Sequence, residues 1–367
     1  MSTSKASRQS NIELLRIFAA FLVIIVHYIN PGLGGGLSLV ERGTPNQMLL
    51  FFFETICITA VNLYILISGY FMRDSLKRDW LKPIGLLAQM IVIETVFMLV
   101  KELPKGSGIS FDTIKAYFVP TYWFIFVYIA LYMLSPYLNL VWKKLEDKQK
   151  NTLVALSVVL LAVYPFIVDS IGHLTADAMQ GKSTLGLDGA QNGYTLVQFF
   201  VMYLIGIWLR DRADKPVAKK KKAWKYILLL LLDMGALYGW AILDSTVLAS
   251  ESALFPAWEY INPLVMLEAV LFFEFFSSID MKSNRVINAL AAASFPSYLI
   301  HLNLFEYAGI DYGVSLSPGL MLLHMFGVTI AIYLVSFVIH FIYRLIEKPI
   351  MKAVGEKWQK HRFISVE

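Results

Sequence analysis

The chain holds 367 residues, 57% of them hydrophobic and only 16% charged, with a formal net charge of +5. A soluble domain of this length carries more charge and interrupts its apolar runs sooner, so composition excludes an ordinary water-soluble enzyme. A single cysteine, Cys57, excludes an intrachain disulfide framework.

Apolar runs of about 20 residues recur from Ile17 to Tyr343, the length at which a helix crosses a hydrocarbon core. They are continuous rather than alternating, which argues against a β-barrel. The predicted fold is therefore all-α, a polytopic membrane helix bundle of about ten transmembrane helices. The spans lie near 12–29, 48–71, 81–100, 117–139, 151–168, 195–209, 224–242, 257–277, 288–306 and 319–343. The first has the basic start, short apolar run and small residues of a secretory signal, but Glu13 and Arg16 at its mouth mark it as a retained helix. The sixth, LVQFFVMYLIGIWLR, is short enough to be little tilted or partly re-entrant.

The connections test this count. Of 32 Lys and Arg, 27 fall in alternate connections and at the termini, and the other side holds only Arg42, Lys101, Lys105, Lys115 and Lys182. The excess of cations on cytoplasmic loops places both termini in the cytoplasm. On this reading residues 1–350 form one integral-membrane domain and 351–367 a cytoplasmic basic tail. The run KPVAKKKKAWK at 215–225 then serves topology and lipid headgroups rather than nucleic acid. No Gly-rich phosphate loop, zinc spacing, nucleophile elbow or internal repeat is present. The largest outer connection, about 169–194, contains Asp169, His173, Asp177 and Asp188.

The first span contains RIFAAFLVIIVH, in which Arg16 and His27 bracket ten apolar residues. Eleven residues at 100° each return to within about 20°, so both side chains share one helix face, roughly 16 Å apart along the axis. Glu13, one turn before Arg16, is placed to orient the guanidinium. The plain alternative is that Arg16 snorkels to headgroups and His27 satisfies itself near the outer interface. Ionisable groups inside spans are costly, however, and usually face a cavity or a partner. An imidazole titrating near neutrality suits proton transfer there.

Five segments in order carry a resemblance. NIELLRIFAAFLVIIVHY contains Arg-x10-His, YILISGYFM closes the second span, and TYWFIFVYIALYMLSPYL forms the fourth. SFPSYLIHLNLF and YRLIEKPI follow near the C-terminus. Together they resemble the integral-membrane acyltransferase family 3 over essentially the whole chain. That resemblance implies transfer of an acyl group, most often acetyl, from cytoplasmic acetyl-CoA or another acyl-CoA as co-substrate. The acceptor would be a hydroxyl of an extracytoplasmic cell-surface glycan or glycolipid, and the setting a bacterial plasma membrane. His27 would be the central catalytic residue, as a general base or through an acyl-imidazole, and Arg16 would help hold the coenzyme. Some members add an outer hydrolase-like domain. None is expected here, which leaves room for a separate outer transferase partner or a homo-oligomer.

Coenzyme phosphates need fixed cations, and Arg16, Arg73, Lys77, Arg78 and Arg344 are the cytoplasmic candidates. Here Arg73 is separated from Lys77 and Arg78 in FMRDSLKRDW, where the family commonly has a basic pair. Topogenic charge is the competing reading for each. Tyr298 and His301 share a face of the ninth span, and His301 falls at a depth like that of His27. It would place the acceptor, support His27 or make a structural hydrogen bond. Asn62 and Ser68 are candidates to line the cavity. Trp123 is a candidate to stack on substrate or to anchor the interface. Among the buried acids, Glu94 is the candidate to orient His27; Asp233, Glu268 and Glu274 are the others. Glu347 with Pro349 is expected to end the last helix, and His324 and His340 to serve packing. No ligand set for a metal is expected. The competing function is a membrane transporter of a small solute or acyl group, using intramembrane His and Glu as a proton relay.

Overall fold

The computed structural model describes residues 9–30, 35–106, 108–118, 122–175, 185, 191–215, 222–247, 256–358 and 363–366. Asp177, Asp188, Lys219–Lys221 and the His173 side chain lie outside the described residues.

Helices dominate. They are α1 (Ser10–Ile29), α2 (Gly36–Leu39), α3 (Pro45–Cys57), α4 (Ala60–Met72), α5 (Leu81–Glu102), α6 (Phe111–Phe118), α7 (Trp123–Lys144) and α8 (Asp147–Val158). They continue with α9 (Tyr164–Thr175), α10 (Leu196–Ala213), α11 (Ala223–Val247), α12 (Pro263–Ser277), α13 (Arg285–Leu290), α14 (Ser294–Phe305), α15 (Ile310–Ser315) and α16 (Pro318–Lys357). Two three-residue strands, β1 (Lys77–Asp79) and β2 (Phe363–Ser365), pair antiparallel with Lys77 opposite Ser365. Among the described residues, eight helices are long and apolar enough to cross a membrane. The protein is an all-α polytopic helix bundle.

Each of the ten predicted segments is helical, but the sixth and ninth are not among those eight. The sixth, α10, is a core element. Phe199, Val201, Met202, Tyr203 and Ile207 are all fully enclosed, and its charges sit in the last turn. The ninth is broken, because a 3₁₀ turn at Ala291–Ala293 separates α13 from α14 just before Pro296. Proline cannot donate to the carbonyl four residues back and clashes with it, so the helix tightens there. The same cause acts at Pro165, which follows a π-helical stretch, Val159–Val163, between α8 and α9. The fourth span starts at Trp123, a few residues later than predicted, because the short α6 precedes it. The last helix corrects another expectation. It runs through Glu347 and Pro349 to Lys357 and, at 40 residues, is about 60 Å long by helical rise.

Pro136 interrupts α7 and frees the Tyr132 carbonyl from its helical donor. Two donors satisfy that carbonyl: Arg78 Nε donates to it at 3.2 Å, and the Ser135 hydroxyl donates to it at 2.7 Å. Arg78 Nε also donates to Ser135 Oγ at 2.8 Å, while Nη1 donates to the carbonyls of Ser75 and Lys77 at 3.0 and 2.8 Å. Arg78 thus ties β1 to the kink of α7.

Helices α4 and α10 cross closely because two glycines meet the opposing backbone. A Cβ on Gly69 would overlap the Tyr203 carbonyl, and one on Gly206 would overlap the Leu66 carbonyl. By contrast, a Cβ on Gly235 of α11 meets open space. Gly69→Val is therefore expected to destabilise the fold by about 1–3 kcal/mol or more through overpacking. Gly235→Ala should stay within about 1 kcal/mol of wild type or gain slightly from helix propensity. Thermal-unfolding midpoints in detergent, with gel-filtration profiles, measure both.

Candidate active site

The first helix is fixed in position along its length. Ser10 donates to Asn288 Oδ1 at 2.9 Å and accepts from the Asn284 backbone at 2.7 Å, while Asn11 donates to the carbonyls of Phe276 and Ile279. At the other end, the Tyr28 hydroxyl meets His324 Nδ1 at 2.9 Å, joining α1 to α16. Midway, the Arg16 carbonyl accepts from Tyr64 at 3.3 Å and from Ser294 at 3.2 Å. These bonds set both the depth and the rotation of α1, and so aim His27.

His27 faces His301 of α14. Their ring centroids are 4.6 Å apart and the planes stand at 70°, an edge-to-face contact. His27 Nδ1 lies 2.8 Å from the Val23 carbonyl, and His301 Nδ1 lies 3.0 Å from the Ser297 carbonyl. A carbonyl only accepts, so in each ring Nδ1 carries the hydrogen and Nε2 keeps its lone pair. His301 is fully buried and its Nε2 has no hydrogen-bond partner among the described residues, whereas His27 is partly open. Tyr298, three residues before His301, lies ring to ring with it at 6.1 Å.

Arg16 stands on the same helix at the far end. Its Nη1 pairs with Glu13 at 3.0 Å, and the guanidinium carbon lies 5.6 Å from the Phe71 ring centroid. The side chain keeps 35% of its surface exposed, so it can take an anion alongside Glu13.

A wall of rings runs from the His pair back towards the Lys82 end. Tyr298 meets Phe124 at 5.6 Å, and Phe124 stacks on Tyr128 at 5.7 Å with planes 13° apart. Ser68 lies 3.5 Å from the Tyr128 hydroxyl and donates to the Tyr64 carbonyl at 2.8 Å. Lys82 Nζ lies 3.5 Å from the same hydroxyl. Phe124 and Tyr128 are four apart on α7, the spacing that presents one face; this pair was not singled out from the sequence, and its spacing is the signal that points to it. Trp123 and Asn62 instead flank a cluster around Tyr260. Trp123 lies 4.6 Å from Tyr194 and 6.0 Å from Tyr260, and Asn62 donates to the Tyr260 carbonyl at 2.9 Å. Gln198 completes that knot by donating to Asn62 Oδ1 at 3.3 Å and to the Tyr260 carbonyl at 2.9 Å.

Glu94 sits elsewhere. Its Oε1 lies 2.5 Å from the Tyr122 hydroxyl and accepts from Asn303 Nδ2 at 2.9 Å. Tyr122 also reaches the Leu299 carbonyl at 2.9 Å. Leu299 and Asn303 are four apart and share a face of α14, while His301, two residues from each, lies on the opposite face. Glu94 makes no hydrogen bond to either histidine; it braces the back of the helix that presents His301. Of the remaining cations, Arg73 is held by Asp74, Asp211 and Asp214 at 3.0, 2.6 and 2.8 Å. Arg78 is buried at the α7 kink, Lys77 lies in β1, and Arg344 pairs with Glu347 at 2.8 Å while staying half exposed.

Comparison with known proteins decides the class of chemistry. A family model described as an acyltransferase domain, family 3, matches residues 9–341. The chain belongs to this acyltransferase family. The match spans all the residues assembled above except those of α16 beyond 341 and β2. No curated protein and no solved structure matches the chain. The protein is thus a membrane acyltransferase, and the transporter reading gives way.

Removing the Glu94 carboxylate tests the bracing role. Glu94→Leu takes away the acceptor of the buried Asn303 amide and leaves Tyr122 only the Leu299 carbonyl, and is expected to destabilise the protein by about 1–3 kcal/mol. Glu94→Gln keeps an acceptor and should cost less than half as much. Thermal inactivation of the two variants side by side checks the order.

Proposed function

We propose that the protein moves an acyl group, acetyl in the first instance, from cytoplasmic acyl-CoA to a hydroxyl of an extracytoplasmic carbohydrate or lipid-linked glycan. In this reading both termini lie in the cytoplasm, the side that the cation distribution favours, and the membrane is the bacterial plasma membrane. The observation that carries this reading is the lone-pair nitrogen of His27, held against His301 and set on one helix face with Arg16. Family membership supports the acyl-transfer chemistry.

In the proposed reaction the acceptor hydroxyl meets His27 Nε2. The imidazole takes the hydroxyl proton as its oxygen attacks the thioester carbonyl. The tetrahedral intermediate collapses with cleavage of the carbon–sulfur bond, leaving the acylated acceptor and the coenzyme thiolate. The imidazolium returns its proton to that thiolate, so the enzyme ends as it began. The Val23 carbonyl accepts from His27 Nδ1–H and fixes the tautomer, the task that a carboxylate performs in the Ser-His-Asp triad. His301 packs edge-on and limits rotation of the ring. Arg16 is set to hold an anionic part of the donor, because a guanidinium grips phosphate through paired donors.

Transfer of radiolabelled acetyl from acetyl-CoA to an envelope glycolipid extract in proteoliposomes tests the proposal. Wild type should label the glycolipid, and His27→Ala should lose about 100-fold or more of the rate, the usual size of a general-base contribution. Arg16→Ala should raise the apparent KM for acetyl-CoA with a smaller change in kcat. Equal rates for His27→Ala and wild type would overturn the assignment.

A further inference from the structure

The last helix is longer than a bilayer needs. Its 40 residues cover about 60 Å by helical rise, against a hydrocarbon core of about 30 Å. A neighbour fixes the depth of its far end. A Cβ on Gly85, in the second turn of α5, would lie 3.5 Å from Met351 Cε and 3.8 Å from Glu347 Oε1. Residues 347–351 therefore stand beside the start of α5, which the cation distribution puts at the inner boundary of the membrane. Pro349 agrees with that depth. It cannot donate to the Leu345 carbonyl, and such a group is tolerated where water and headgroups reach it.

At this level α16 presents two faces. Tyr343, Glu347, Met351 and Gly355 recur every four residues and turn towards the protein. On the other side Leu345, Ile346 and Ile350 keep 64, 62 and 55% of their surface exposed. They continue the exposed row of Leu334, Val338 and Phe341, which faces lipid within the span. Lys348 and Lys352 follow Phe341 and Leu345 by seven residues, so they stand two turns further along the same face, and both are exposed. Residues 344–357 hold four cations against two carboxylates. One carboxylate, Glu347, turns inward and holds Arg344 at 2.8 Å. The other, Glu356, approaches Lys352 only at 3.9 Å, with both side chains open to solvent. Lys348 meets no carboxylate among the described residues. Trp80, just before α5, and Trp358, just after α16, are exposed at the same end, where indole rings favour headgroup level.

We infer that this end of α16 docks an anionic phospholipid of the cytoplasmic leaflet: its acyl chains lie along Leu345, Ile346 and Ile350, and its phosphate-bearing headgroup meets Lys348 and Lys352. Charge complementarity selects the occupant. A zwitterionic headgroup carries its own ammonium and gains less from the two lysines, whereas each cation near an anionic lipid surface favours contact by about fivefold. The strand β2 follows α16 closely in the chain and pairs with β1, so a lipid held here bears on the sheet that carries Arg78.

Lipid-specific quenching reads this face directly. Ala353 is exposed three residues after Ile350, and Ala353→Cys takes a bimane label while the native Cys57 stays buried and inert. The labelled full chain is reconstituted in phosphatidylcholine vesicles with rising fractions of brominated phosphatidylglycerol or brominated phosphatidylcholine, at matched gel-filtration profile. Phosphatidylglycerol should quench at the lower fraction, with a relative affinity about fivefold or more above phosphatidylcholine. Lys348→Gln together with Lys352→Gln should erase that preference, and Lys348→Arg with Lys352→Arg should restore it. Equal quenching by the two lipids in the labelled chain with both lysines intact would overturn the inference. A preference kept in the double glutamine variant would also overturn it, and would move the charge to another segment such as the lysine run of 219–222. Absence of quenching by either lipid, with cross-linking between copies at Ala353→Cys, would assign the face to a second copy of the chain instead.

Discussion

The edge-to-face contact of His27 with His301 is the constraint on which the rest of the site depends. Two imidazoles at 4.6 Å on different helices specify the depth and the rotation of both. A quarter turn of α1 would aim His27 into lipid or packing, and a one-turn slide would carry it about 5 Å along the axis. The polar bonds of α1 resist both movements. Ser10 and Asn11 hold its start, the Arg16 carbonyl receives two hydroxyls midway, and Tyr28 grips His324 just past His27. Helix α14 is braced from behind, where Glu94 joins Tyr122 and Asn303. In a membrane, where apolar side chains meet lipid as readily as each other, such hydrogen bonds help define a unique arrangement.

Prolines supply the irregularity that the site requires. A proline inside a helix frees a carbonyl, and in an apolar surrounding the freed group must be satisfied by the protein. At Pro136 the answer is Ser135 and the guanidinium of Arg78. At Pro296 it is a 3₁₀ turn that re-aims the short helix bearing His301. At Pro165 it is a π-helical stretch. The kink in α7 also brings β1 and the start of α5 alongside, so that Lys82 lies over the rings of Tyr128 and Tyr132.

Much of the architecture was legible in the amino-acid sequence because hydropathy and charge act locally. The ten helical segments follow from apolar length, and the shared face of Arg16 and His27 follows from an eleven-residue interval. Membership of the acyltransferase family followed from five motifs in order. The partners of individual side chains were not legible, because they depend on how helices pack. Nothing in the order of residues says that Glu94 meets Tyr122 rather than His27, or that Arg73 is held by three carboxylates from two segments. Arg78 reads as a surface cation until the Pro136 kink gives it a buried carbonyl to bond. The last helix was read too short because a proline within a long amphipathic end does not always terminate it; α16 continues to Lys357 across Pro349.

The central claim is that an acyl group passes from a donor on the cytoplasmic face to an acceptor on the opposite face, with His27 at the junction. Sidedness tests it most directly. Proteoliposomes with protein in one orientation would receive labelled acetyl-CoA on one side only and the glycolipid acceptor on the other side only. The account predicts label in the acceptor when the coenzyme is on the side of the termini and the acceptor is opposite, and none when the two are exchanged. Efficient labelling only when donor and acceptor share one compartment would contradict it.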